Sequence, residues 1–169
     1  YSSLNDNKKK SQKFANNIFT LLVIGLFFLV LVIEIMMPLF VFLIAPGFEG
    51  DYQKMELAIT LTRITFPFLM FISLASFFSA ILNSHNKFAV ASAAPIILNI
   101  LLIGVLLFGK ILNDELIYYL SYAVTISGIL QLIFLYFFVK KYLSLKISLS
   151  LKIDNKVKLF FKKLFFIGP

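Results

Sequence analysis

Four long apolar runs, separated by short polar or Pro/Gly-containing breaks, constrain this chain more than any other feature. A spanning helix needs about 20 apolar residues, so four of them use about half of a chain this long. Charge and Pro/Gly punctuation delimit span A at 14–44, span B at 55–83, span C at 88–108 and span D at 116–139. Of the 169 residues, 60% are hydrophobic, 14% are charged and 21 are Phe. Ordinary globular chains hold about 45–50% apolar and about 25% charged residues. A soluble domain this small cannot hide that much apolar surface. The expected fold class is all-α integral membrane, with four transmembrane helices.

Charge then orients the spans. Sixteen basic residues face eight acidic ones, a net charge of +8. The basic residues sit in short blocks beside apolar runs, which argues for membrane topology and against nucleic acid as a partner. The opening segment, 1–13, carries Lys8, Lys9, Lys10 and Lys13. The A–B loop carries Glu49, Asp51 and Glu56 against Lys54, and the C–D loop carries Asp114 and Glu115 against Lys110. The B–C loop carries Lys87 alone, and the tail, 140–169, carries Lys140, Lys141, Lys146, Lys152, Lys156, Lys158, Lys162 and Lys163. Basic and acidic connections alternate, so the start, the B–C loop and the tail are expected in the cytoplasm and the other two loops outside. The polar opening is not a secretory signal. The chain starts at Tyr1 and stops at Gly168-Pro169, directly after an apolar cluster, which reads as a piece of a longer protein.

Span B exceeds a vertical crossing: its roughly 29 residues reach about 43 Å against a core of about 30 Å. Its first turns, with Lys54, Glu56 and Arg63, either project into the headgroups or the helix tilts. The tail has two textures. Apolar residues alternate with Ser and Lys from Leu143 to Ile153, a period of two that reads as an extended linker on the membrane surface. From Lys156, Val157, Phe160, Phe161, Leu164 and Phe165 recur at helical spacing among lysines, giving an amphipathic basic helix that leads toward a next helix.

The absence of Cys excludes disulfides and Cys-ligated metal, and a single His excludes a multi-His site. No Walker motif, Ser-His-Asp set or hydrolase-like carboxylate pair is present, so no enzyme, cofactor or metal site is expected. The polar residues inside the spans carry the remaining information. Glu34 is the one acid well inside a span; it is either functional or an outer-end carboxylate that snorkels near Pro38. Arg63, four residues before Pro67, either faces an anionic substrate or binds lipid headgroups. Pro38, Pro67 and Pro95 each remove a backbone donor and are expected to kink spans A, B and C. Ser73, Ser76, Ala80 and Asn83 share one face of B, and Ser121, Thr125 and Gly128 share one face of D, a small-residue pattern that favours close helix packing. Asn83 and Asn99 are the candidates for hydrogen bonds between helices, and His85 belongs to a solvated turn.

Ala45-Pro46-Gly47-Phe48, Leu61-Thr62-Arg63-Ile64-Thr65-Phe66-Pro67, Ile72-Ser73-Leu74-Ala75-Ser76, Ser79-Ala80-Ile81-Leu82-Asn83, Lys87-Phe88, Ala94-Pro95 and Leu98-Asn99 occur in this order. The series resembles the MurJ (MviN) family of lipid II flippases, and Ala123-Val124-Thr125, Gly128 and Leu130-Gln131 fit the next family helix. Ser79 stands where the family often has Gly, Lys87 where Arg is commoner, and Ala91 near a frequent Pro. The resemblance implies a fold of about fourteen helices in two lobes, within the multidrug/oligosaccharidyl-lipid/polysaccharide exporter superfamily. This chain would supply helices three to six. It further implies transport of lipid-linked peptidoglycan precursor, lipid II, between leaflets of the bacterial inner membrane by alternating access. Membrane lipids and the cell-wall synthesis machinery would be its partners, with no cofactor beyond coupling to an ion or the membrane potential. The family's pyrophosphate-binding arginines lie mainly in helices one, two and eight, outside this chain. Arg63, Asn83, Asn99 and Glu34 are therefore the substrate-cavity candidates here. A sister exporter of another lipid-linked oligosaccharide, or a non-transporting membrane scaffold, are the alternatives.

Overall fold

The computed structural model describes residues 2–48, 50–109, 115–143 and 148–149, with side chains from residue 10 onward apart from Phe48. Among the described residues, seven α-helices run α1 (Ser2–Ile35), α2 (Met37–Ile44), α3 (Tyr52–Thr65), α4 (Pro67–Ser84), α5 (Phe88–Ala93), α6 (Ile96–Leu107) and α7 (Leu116–Leu143). Among the described residues, α1, α3–α4, α5–α6 and α7 supply four helical spans long and apolar enough to cross a membrane, Lys10–Ile35, Tyr52–Ser84, Phe88–Leu107 and Leu116–Leu143, and α2 lies between the first two. The protein is a multi-pass, all-α membrane protein. The amphipathic helix expected from Lys156 lies outside the described residues, as does the alternating stretch apart from Leu143, Ser148 and Leu149.

Proline sets where each interrupted span breaks. Pro38 lies in the first turn of α2, Pro67 opens α4, and Pro95 precedes α6. A proline suits the first helical turn, where an N–H has no partner anyway, and cannot donate within a continuing helix. Between Ile44 and Tyr52, a 3-10 turn at Pro46–Phe48 reverses the chain. Asp51 then caps α3: its carboxylate accepts from the Lys54 N–H at 3.1 Å, and Lys54 Nζ lies 2.8 Å from the other oxygen.

The α4–α5 connection is as short as a helix stop allows. Lys87 N–H donates to the Leu82 carbonyl at 2.9 Å and Asn86 N–H to Asn83 at 3.0 Å. Asn86 sits at φ 59°, the left-handed conformation this pair of bonds requires and that Asn tolerates better than most residues. His85 lies in this turn, its Nδ1 3.0 Å from Ser84 Oγ and 3.0 Å from the Ile81 carbonyl.

α7 is the hub, packing along α4 and against α3 and α6. Its Leu135 and Val139 meet Ala75, Phe78 and Leu82 of α4 and Ala91 and Ala94 at the end of α5, with Phe19 of α1 against them. The Phe78 ring centroid is 5.1 Å from Phe19 and 5.6 Å from Tyr136. A second cluster joins Met37 and Val41 of α2 to Phe66 at the α3–α4 break. Outside these clusters the apolar side chains point outward: Phe27, Phe28, Val32 and Ile35 of α1 are all half exposed or more. In water such a surface would aggregate, whereas in hydrocarbon it costs nothing, and close packing rather than a hydrophobic force holds the helices together.

Candidate functional site

The polar groups at membrane depth fall into three places. The first is where α1 ends beside α3. Glu34 occupies the last turn of α1, half-buried, and its Oε1 is buried without a hydrogen-bond partner. Arg63 projects from the last turn of α3, exposed, within electrostatic reach of Glu34. No hydrogen bond from backbone groups near Pro38 reaches Glu34, and Arg63 of the neighbouring span is the charge that acts on it.

The second place is the α3–α4 break. Thr125 Oγ1 of α7 donates to the Ile64 carbonyl, three residues before Pro67. This is how a proline-broken helix is tolerated in lipid: a hydroxyl from a neighbour reaches the interrupted backbone. Gly128, one turn farther along α7, makes that approach feasible. A Cβ built there would lie 2.8 Å from Phe68 Cδ2 and 3.1 Å from Phe71 Cβ.

The third place is the break in span C. A cavity of about 90 Å³ lies between α4, the Ala94–Pro95 break and α7, lined by Ser76, Ser79, Ala91, Pro95 and Gln131 among others. Gln131 is 1% exposed, and neither atom of its amide has a hydrogen-bond partner. Asn17 of α1 is buried to the same degree and likewise unpartnered at both amide atoms. Sequence reasoning missed Asn17 and saw Gln131 only as part of a family pattern. An uncharged amide inside an apolar run was the available signal.

Asn83 and Asn99 are both exposed, so the interhelical bond expected of them is made in this unit by Thr125. Asn83 closes α4 some 20 residues after Arg63, about 30 Å along the span. The candidates therefore do not converge on one site: Glu34 and Arg63 lie within electrostatic reach of each other, while Asn83 lies at the far end of span B and Asn99 on α6. Near Asn83, Lys87 Nζ sits 4.8 Å from the centroid of the Tyr142 ring and Lys141 Nζ 5.8 Å from it, which ties the α4–α5 turn to the end of α7.

A family model described as "Lipid II flippase MurJ" matches residues 1–167. A protein named probable lipid II flippase MurJ from Rickettsia prowazekii is 39% identical over 136 residues, covering 80% of this chain and 26% of the relative. Its namesake from Rhizobium tropici is 36% identical over 130 residues, covering 75% and 24%. The lipid II flippase MurJ of Burkholderia cenocepacia is 38% identical over 91 residues, 54% of this chain and 18% of that protein. The chain thus spans about a quarter of the length of the first two of these relatives.

Proposed function

This chain belongs to the lipid II flippase MurJ family, and from that premise we propose that the intact protein moves lipid-linked peptidoglycan precursor from the cytoplasmic to the outer leaflet of the bacterial inner membrane. The observation that carries this reading is the family match over residues 1–167, on a chain whose spans A, B and C are each interrupted at a proline. Interrupted spans suit a protein that rocks one lobe against another, since helix segments can pivot at each break. In this reading the four spans form helices three to six and one wall of the cavity.

The substrate's diphosphate needs cations in a watered cavity while its lipid tail remains in the bilayer. Arg63 is the cation this wall contributes, with Glu34 moderating its charge and Asn83 and Asn99 offering uncharged hydrogen bonds. The alternation of basic and acidic connections supports a cytoplasmic N-terminus, α4–α5 turn and tail. No cofactor is required; an ion gradient or the membrane potential drives the cycle. Membrane lipids surround the apolar faces, and enzymes of cell-wall synthesis supply and consume the substrate.

Complementation tests the proposal. Expression of the intact protein in a bacterium depleted of its own lipid II flippase restores growth and cell shape. Failure to restore them at normal membrane expression would contradict it.

A further inference from the structure

The cavity at the span C break has no role in the reading above. Gln131 reaches it from α7, near the middle of a 28-residue helix, with both a donor and an acceptor unsatisfied. Leaving an amide bare away from water is costly enough that buried polar groups are almost always partnered. A second group lines the same space. Pro95 has no N–H, so the Ala91 carbonyl, four residues earlier, lacks the donor that a continuous helix would supply. Ser79 is a third. Ser73 and Ser76 donate to the carbonyls of Leu69 and Ile72 in their own helix, whereas Ser79 makes no such bond among the described residues.

We propose that this cavity is a hydration site, in which ordered water bridges the Gln131 amide to the Ala91 carbonyl and the Ser79 hydroxyl. The space is ample: about 90 Å³, against the roughly 10–15 Å³ that admits one water. The lining supplies the two to four polar partners that hold buried water in place. All of it is uncharged, which favours water over a charged solute. Water suits a break that moves better than a protein group does, because it can follow the carbonyl as the α5–α6 angle changes. The break in span C can then open and close without leaving a bare backbone group in hydrocarbon.

This chain contains no Cys, so once any Cys in the rest of the intact protein is replaced by Ser, one introduced thiol reports its own surroundings. Ser79→Cys in the intact protein, reconstituted in lipid nanodiscs, is exposed to a small water-soluble thiol reagent, with Val139→Cys, fully buried in the packed core and outside the cavity lining, as the silent control. A thiol reacts through its thiolate, which needs water. The expected result is that Ser79→Cys is labelled, Val139→Cys is not, and labelling at Ser79→Cys is lost when Gln131→Leu is added. Unchanged elution and thermal unfolding of the double variant confirm that it is folded. If it is not, Gln131→Met replaces it with a shape closer to the original. No labelling at Ser79→Cys, or labelling that ignores the Gln131 substitution, overturns the proposal. So does labelling that changes when sodium is exchanged for choline, which would make the occupant a metal cation.

Discussion

Gly128 shows how tightly a single residue controls this fold. Its missing Cβ is what lets α7 lie on Phe68 and Phe71. Gly128→Ala gains helix propensity, but the added carbon would sit 3.1 Å from Phe71 Cβ, an atom that cannot rotate away. Overpacking of this kind costs about 1–3 kcal/mol. The variant should unfold at lower temperature in detergent, and Phe68→Leu, which removes the ring met at 2.8 Å, should recover part of the loss. Asp51 gives a residue-scale test in pH. The Lys54 side chain, and then its N–H, hold the Asp51 carboxyl below its usual range. A carboxylate whose folded pKa is lowered contributes stability that is complete above its unfolded pKa, about 3.9, and is lost as pH falls through the lower folded value. Amide exchange in the first turn of α3 should therefore be flat from neutral pH down to about 4 and rise below it, once corrected for the intrinsic rate. Asp51→Asn, which still caps, should remove that rise. The small face of Ser121, Thr125 and Gly128 is legible as a packing face because helical spacing fixes it. Which rings would fill it is not, because Phe68 and Phe71 are two of 21 phenylalanines and only the crossing of α4 and α7 selects them.

At the scale of elements, helix breaks are the most legible feature, since a proline's missing donor acts locally. How each break is healed depends on a neighbour. Thr125 reaches Ile64 across 61 positions of sequence, and nothing in the local pattern pairs them. Thr125→Val keeps the shape and removes the donor. It should cost about 0.5–1.5 kcal/mol, read as a lowered unfolding temperature, with faster amide exchange confined to the α3–α4 break. Uniform loss across all helices would show instead that the bond serves general packing. Asn83 and Asn99 illustrate the opposite difficulty. An amide in an apolar run announces that it needs a partner, but not whether the partner lies in this unit, and here both face outward. Gln131 carried the same signal and is the amide that turned inward.

At the scale of the whole molecule, the number of spans follows from the sequence because hydrophobic length against bilayer thickness is a coarse and robust rule. The family follows from short motifs in a fixed order. The arrangement of spans around α7 does not, because in lipid the outward faces are equally apolar and the contacts are chosen by packing and hydrogen bonds between residues far apart in the chain. The exposed positions of Arg63, Asn83 and Asn99 place the polar surface of this unit on its outside. The proposed function makes this unit one wall of a cavity, and the chain spans about a quarter of the length of the relatives from Rickettsia prowazekii and Rhizobium tropici. The central claim is that the intact protein carries lipid II across the membrane. The most direct measurement is the fraction of lipid II exposed on the outer leaflet of a flippase-depleted bacterium, before and after the intact protein is expressed. The account predicts that exposure returns with expression and falls again with Arg63→Ala at equal protein level. An outer leaflet that stays empty of lipid II while the protein is folded in the membrane would contradict it.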